Sequence, residues 1–305
     1  MKRKFVVAIR IAIVAIIIAT VAAISSPVRS RAAWLYLSRS SAIGLMESLE
    51  AGVLTARQLR EVALIQGKTR VIEQQATGLT LWETPRGRYW MVSESRDALE
   101  WDLAEQARKI YGEGNKGERS GDIVLDCGAN VGVYAKTALA TGAKLVVAIE
   151  PAPENLDCLR HNLAREIADG RVIVYPKGVW DKDDTLRLNR DSKNSARDSL
   201  FQLKGSSTDS IQVPLTTIDK LVAELHLTRV DFIKMDIEGA EKNAILGARN
   251  TLHRFKPRMA LCVYHKVGDP EAIPKTVLDI VPDYRVSLQG FMFKDSIIVE
   301  VAHFQ

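Results

Sequence analysis

Three carboxylates crowd one eight-residue stretch, Lys234-Met235-Asp236-Ile237-Glu238-Gly239-Ala240-Glu241, directly after the apolar run Val230-Asp231-Phe232-Ile233. A buried strand has no structural need to collect negative charge where it surfaces. Acids in that place can orient a hydroxyl, take its proton or hold a cation. Asp236 and Glu238 stand two apart, so both side chains fall on one side if extended geometry persists. Gly239 lets the chain turn into a helix, where Glu241 sits in the first turn and favours the helix dipole, a structural role. His265, in Cys262-Val263-Tyr264-His265-Lys266, ends the next apolar run and brings an imidazole to the same edge. Asp236 or His265 is placed to take a proton from a hydroxyl nucleophile. The alternative for Asp236 is an ion pair with Lys234, which would hold it ionised. A divalent metal would also find acceptable ligands here, although nothing in the spacing demands one.

A second constellation lies upstream. The run Ile123–Leu125 leads into Asp126-Cys127-Gly128-Ala129-Asn130-Val131-Gly132-Val133-Tyr134, with two glycines four apart at a strand-to-helix turn. Such glycines allow a ligand close to the backbone and a tight entry into the helix. A dinucleotide site wants G-x-G-x-x-G; here Asn130 stands at the second glycine, and Asp126 precedes the loop, where an acid suits a cation better than a phosphate. The next run ends in Glu150, 18 residues beyond Gly132, where an acid can accept both hydroxyls of a ribose. Together these describe a pocket for a nucleoside with a positively charged aminoacyl chain, which S-adenosylmethionine (SAM) has.

The elements that position these residues follow from periodicity. Apolar runs at Ile123–Leu125, Leu145–Ile149, Val172–Tyr175, Val230–Met235 and Met259–Tyr264 alternate with helical patterns at 131–140, 153–168, 240–255 and 272–280. That alternation predicts a parallel sheet covered on both faces. Tyr284–Leu288 and Ser296–Val301 follow each other without a helix, as a closing hairpin would. Upstream, Arg39–Ile65 and Ala98–Tyr111 read as helices, and 78–93 as a hairpin turning at Pro85-Arg86-Gly87. The glycine-rich segment 111–122 is the best boundary. The polar stretch 189–210 reads as a lid, a binding loop or a disordered segment.

The pair DCGANVGVY and AIEPAPENLDCLRHNL resembles the first two motifs of class I SAM-dependent methyltransferases. With DFIKMDIEGAEKNAILGA, PLTTIDKL and the YHK after the fifth run, the chain resembles the FkbM family over about residues 80–305. The resemblance implies a Rossmann-like fold: a seven-stranded, mostly parallel sheet with a closing antiparallel hairpin. It implies SAM as cofactor, held by Asp126, Gly128, Ala129, Asn130, Gly132 and Glu150, with Gly178 of YPKGVWD beside the adenine. Asp236, Glu238 and His265 become the catalytic candidates, and the reaction O-methylation of a hydroxyl on a glycan, glycolipid or related product. Two other classes stay open on the same sheet: a nicotinamide-dependent oxidoreductase, against which the missing G-x-G-x-x-G speaks, and a nucleotide-binding module without catalysis.

The net charge of +5 resides in the N-terminus: residues 1–40 carry +7 and no acid, leaving −2 for the rest. No nucleic-acid partner is therefore expected. Phe5–Ile24 is apolar except for Arg10 and Thr20, about 30 Å as a helix. It reads as an N-terminal membrane helix (1–28), with a cleaved signal or an interfacial helix as alternatives. The helical and hairpin leader is then 29–118 and the catalytic domain 119–305, expected in the cytoplasm. The three cysteines, an odd count without metal-ligand spacing, read as buried thiols of a reducing compartment.

Overall fold

The computed structural model describes residues 27–37, 43–189 and 210–305. The segment read as a membrane helix, 1–28, lies outside them apart from Pro27 and Val28, and the stretch 189–210 apart from Asn189 and Ser210. Among the described residues no helix is long and apolar enough to cross a membrane. The chain divides into two compact units, Met1–Leu59 with Leu288–Glu300, and Arg60–Ser287 with Val301–Gln305. In the first unit Thr55 Oγ1 accepts the Met292 amide at 2.9 Å and donates to Ala51 O at 2.7 Å.

The second unit opens with an antiparallel meander, β1 (Arg70–Gln74), β2 (Leu79–Thr84) and β3 (Gly87–Val92). Thr84 pairs with Gly87, which leaves Pro85 and Arg86 as the turn, where the sequence placed it. β1 was not legible, because it is exposed at every position and carries no alternation. The meander and the helix Arg96–Ala107 do not form a separate leader. Trp82, Met91, Leu99 and Leu103 share a core with Val131, Val133 and Cys158. Asn162 brackets β3, accepting the Trp90 amide at 2.6 Å and donating to Trp90 O and Val131 O at 2.9 Å each. The compact unit thus begins at Arg60 rather than after the glycine-rich segment 111–122, whose composition marks a surface loop and not a break in the core.

The strands β4 (Ile123–Cys127), β5 (Leu145–Ile149) and β6 (Val172–Tyr175) follow. β7 (Gly178–Val179), β8 (Asp184–Asn189) and β9 (Ser210–Thr216) make a small side sheet that the sequence did not reveal. β10 (Phe232–Met235), β11 (Arg258–Cys262), β12 (Val286–Phe293) and β13 (Ser296–Phe304) complete the main sheet, in the order β12-β13-β11-β10-β4-β5-β6. β11, β10, β4, β5 and β6 run parallel, and β13 joins β11 antiparallel through Val301–Phe304. This is the Rossmann-like sheet that the periodicity and the resemblance implied. β4 and β10 are buried throughout, as expected for central parallel strands covered on both faces. The three cysteines are buried, and none forms a disulfide among the described residues.

His303 of β13 is fully buried, and neither ring nitrogen has a hydrogen-bond partner. Burial, with some help from the Lys116 charge, pulls its pKa down to about 4. The folded ring stays neutral while the unfolded one titrates near 6.5, so unfolding takes up a proton between these values. This group therefore removes stability as pH falls from about 6.5 to 4, by about 3 kcal/mol in all. His303→Phe should flatten that dependence in urea unfolding at pH 7 and 4.5. Parallel pH profiles for the variant and the wild type would show that His303 is not the acid-sensitive group.

Candidate active site

The carboxyl ends of β4 and β10 are locked by one buried ion pair. Asp126 and Lys234 are direct neighbours across the parallel ladder, and Lys234 Nζ lies 3.1 Å from Asp126 Oδ1. Nζ also donates to Gly128 O at 2.6 Å. Burial disfavours the charge on Lys234, but Asp126 and Asp236 hold its pKa above the usual lysine range. Burial raises Asp126, while Lys234 pulls it back. Two sequence expectations change here. Asp126 is the counter-ion of Lys234 and not among the cleft-lining residues, and Lys234 makes its ion pair with Asp126 rather than with Asp236 two residues on.

The loop after β4 is shaped by close approach. Gly128 has φ +78°, and a Cβ on it would stand 1.9 Å from the Asp236 carbonyl oxygen, so no side chain fits between the two strand ends. Gly132, at φ +87°, would drive a Cβ to 2.8 Å from Leu163 Cδ1. Both glycines are thus required by packing. Asn130 takes a left-handed φ of +47°, which Asn tolerates better than most residues. The loop's amides are already engaged: Gly128 and Ala129 both donate to Ile149 O at 3.0 Å, and Gly132 to Ala129 O at 2.8 Å. Asn130 N donates to Glu150 Oε2 at 2.9 Å.

A cleft of about 590 Å³ of empty space, open solvent at its mouth included, lies above this loop. Gly128, Asn130, Glu150, Gly178, Asp236 and Glu238 line it; Asp126, Ala129 and Gly132 do not. Glu150 accepts the Ala152 amide on Oε1 at 2.9 Å as well as that of Asn130, and burial pushes its pKa up to about 7 against both bonds. Gly178 is also a packing glycine, since a Cβ there would lie 2.5 Å from Leu215 Cδ2.

Asp236, Glu238 and His265 do come together, in a geometry the extended-strand argument did not foresee. β10 ends at Met235, and Glu238 sits at φ +54° with Gly239 at φ +94°. Left-handed geometry at a non-glycine residue costs about 1–2 kcal/mol. His265 Nε2 lies 3.4 Å from Asp236 Oδ1 and 3.6 Å from Glu238 Oε1, and Nδ1 lies 3.0 Å from Glu241 Oε1. Burial opposes protonation of the ring, yet Glu238 and Glu241 carry its pKa well above 6.5. Burial also raises Glu238, with His265 acting against the rise.

Glu241 is thus more than a helix-dipole residue: it is fully buried, accepts the Ile237 amide at 3.0 Å and abuts the imidazole. Two further members were not read from the sequence. Tyr111 donates its hydroxyl to Asp236 Oδ2 at 2.8 Å, and burial and Asp236 keep that phenol well above its ordinary pKa. Asp102 is half-buried, accepts from Asn130 Nδ2 at 3.3 Å, and is pushed up to about 7 by burial and then by Asp236. Its only signal was a charge beside the apolar stripe of Leu99 and Leu103.

The family described as Methyltransferase FkbM domain matches residues 126–299. The chain is 25% identical over 195 residues to the 2-O-methyltransferase NoeI of Sinorhizobium fredii, covering 56% of this chain and 76% of that protein. It is 27% identical over 159 residues to the 31-O-demethyl-FK506 methyltransferase FkbM of Streptomyces tacrolimicus, over 43% and 61% of the two chains. It is 25% identical over 154 residues to the hexuronic acid methyltransferase AglP of Haloferax volcanii, over 50% and 60%. The chain thus spans about three-fifths of the length of these last two. A solved methyltransferase FkbM from Methylobacillus flagellatus superposes with a TM-score of 0.47 at 20% identity, over 68% of this chain and 54% of that one.

Lys234→Met would leave Asp126 buried without its counter-ion, and breaking such a pair costs about 3–5 kcal/mol. Urea unfolding should register that loss, and the double variant Asp126→Leu/Lys234→Met should recover most of it. A single-variant loss below about 1 kcal/mol would show that other contacts hold the two strand ends.

Proposed function

Because the chain belongs to the FkbM methyltransferase family, we propose that it transfers the methyl group of SAM to a sugar hydroxyl of a glycan or glycolipid. One observation carries the choice of cofactor. The amides of Gly128, Ala129, Asn130 and Gly132 are engaged within the protein, and the acid Glu150 faces the cleft. A pyrophosphate needs such amides as donors. The loop offers none of these four, so a nicotinamide dinucleotide is not favoured. A ribose needs acceptors, and a sulfonium with an ammonium favours negative charge; Glu150, Asp236 and Glu238 meet both needs in one cleft.

Bound SAM would supply a methyl group made electrophilic by its sulfonium. Glu150 would accept the ribose hydroxyls, its carboxylate already oriented by the Asn130 and Ala152 amides. Asp236, which lines the cleft and has its Oδ2 fixed by Tyr111, would bind and orient the acceptor hydroxyl. The hydroxyl's proton passes to the Asp236–Glu238 pair as its oxygen forms the new bond to carbon. His265, flanked by carboxylates at both ring nitrogens, positions them and does not take that proton. A sugar acceptor is supported by the relatives: NoeI is named a 2-O-methyltransferase, and AglP a hexuronic acid methyltransferase.

Glu150→Ala should weaken SAM binding by about 10- to 100-fold in calorimetry, because hydrogen bonds to a charged acceptor are worth about 1.5–3 kcal/mol. Asp236→Asn should leave SAM binding within a few-fold and lower transfer of labelled methyl to cellular glycans and lipids by about 10²- to 10⁴-fold. If Asp236→Asn lowers only the melting temperature and keeps near-normal turnover, Asp236 belongs to the scaffold.

A further inference from the structure

Charge in the cluster around His265 does not balance. Asp236, Glu238 and Glu241 bring three carboxylates to one imidazole. The nearby lysines make their direct contacts outside the cluster, Lys234 with Asp126 and Lys266 with Gly239 O at 2.5 Å, and act on Asp236 and Glu241 only through longer-range charge. Glu241 is fully buried and its Oε2 has no hydrogen-bond partner, nor has Asp236 Oδ1; the side chain of His265, 6% exposed, meets the acids only as ion-pair contacts at 3.0–3.6 Å. Buried acceptors without donors, beside surplus negative charge, are costly unless a cation joins them.

The donor atoms of Asp236, Glu241 and His265 all lie within 4.8 Å of one another. Atoms sharing one cation at about 2.1 Å stand about 3–4 Å apart, so a small inward rotation of the side chains closes the set. Two of the three are already oriented from behind, Asp236 by the Tyr111 hydroxyl at 2.8 Å and Glu241 by the Ile237 amide at 3.0 Å. Supporting bonds of this kind hold metal ligands in place.

We propose that Asp236, Glu241 and His265 bind one divalent cation at the floor of the acceptor side of the cleft, the imidazole releasing a ring proton to solvent as the ion takes its place. Two carboxylates and one imidazole suit Mn²⁺ or Zn²⁺ better than Ca²⁺ or Mg²⁺, which want oxygen throughout. The inference rests on the methyltransferase reading for its consequence. There the ion polarises the acceptor hydroxyl as a Lewis acid, and Glu238 remains beside it as the carboxylate that receives the proton.

The test titrates Mn²⁺ into the chelator-treated full chain and follows free Mn²⁺ by electron paramagnetic resonance. One ion per chain is expected, with Zn²⁺ competing for it. Glu241→Gln and His265→Gln should each weaken binding at least about 10-fold. Added Mn²⁺ should raise the melting temperature of the wild type and not of Glu241→Gln, which keeps the result readable if either variant is less stable. No bound ion, or equal affinity in both variants, overturns the proposal. Full-rate methyl transfer by protein free of Mn²⁺ and Zn²⁺ also overturns it, and leaves the methyltransferase reading standing. Failure to bind SAM in calorimetry would instead defeat that reading, while the resonance titration still decides the ion.

Discussion

The buried pair of Lys234 and Asp126 is the constraint on which the site depends. A lone charge of either sign at the centre of this sheet would be expelled or neutralised. Paired across the β4–β10 ladder, the two fix the strands at their carboxyl ends, where a shift of one residue would separate them. The lysine also donates to Gly128 O, so the same ammonium that satisfies Asp126 anchors the first loop. Gly128 then lies against the Asp236 carbonyl with no room for a Cβ. The loop after β4 and the acid after β10 thus share one joint, and the cleft is set by the joint rather than by either segment alone.

From that joint follows the sign of the cleft. With its amides turned inward to Ile149 O, to Glu150 and to Ala129 O, the loop gives up the anion-binding capacity such turns often have. Glu150 gains two donors and is held in one orientation, although burial pushes it up to about 7. A carboxylate restrained in this way loses little freedom on meeting a diol, which is how preorganisation improves affinity. The strand-to-helix geometry resembles a dinucleotide fold, and hydrogen-bond accounting separates the two ligand classes.

What the sequence made legible was whatever depends on local period or on strand position. The central strands are short apolar runs, and Asp236, Glu150 and His265 follow from lying at their ends. Asp126 obeys the same rule yet pairs with Lys234 rather than lining the cleft, because a strand-end acid can face the cleft or its neighbour. Only the register placing it opposite Lys234 decides between them. The roles of Tyr111 and Asp102 arise from contacts to Asp236 and Asn130, 125 and 28 residues away in the chain, which no pattern encodes. The boundary drawn at 111–122 rests on composition alone, which is blind to contacts of this kind. A polar glycine-rich segment looks like a division, while the core joining Trp82 and Leu99 to Val131 and Cys158 crosses it unseen.

The number of acids around His265 decides what that residue can be. With one carboxylate on Nδ1, an imidazole keeps a free lone pair on Nε2 and is a base near neutral pH. Here Glu241 faces Nδ1 while Asp236 and Glu238 face Nε2, so both nitrogens see acceptors and the ring's pKa is carried well above 6.5. A ring in that setting is a poor base, and in the proposed reaction the proton is left to the carboxylates. Glu238, in left-handed backbone geometry beside Gly239, is the one whose position the chain bears strain to maintain. An extended backbone through Ile237 would have continued the strand and carried the acids away from the edge of the sheet. The tight turn instead leaves Asp236 and Glu238 on one cleft wall and returns Glu241 beneath His265, and that is why the three carboxylates of this stretch meet at a single histidine.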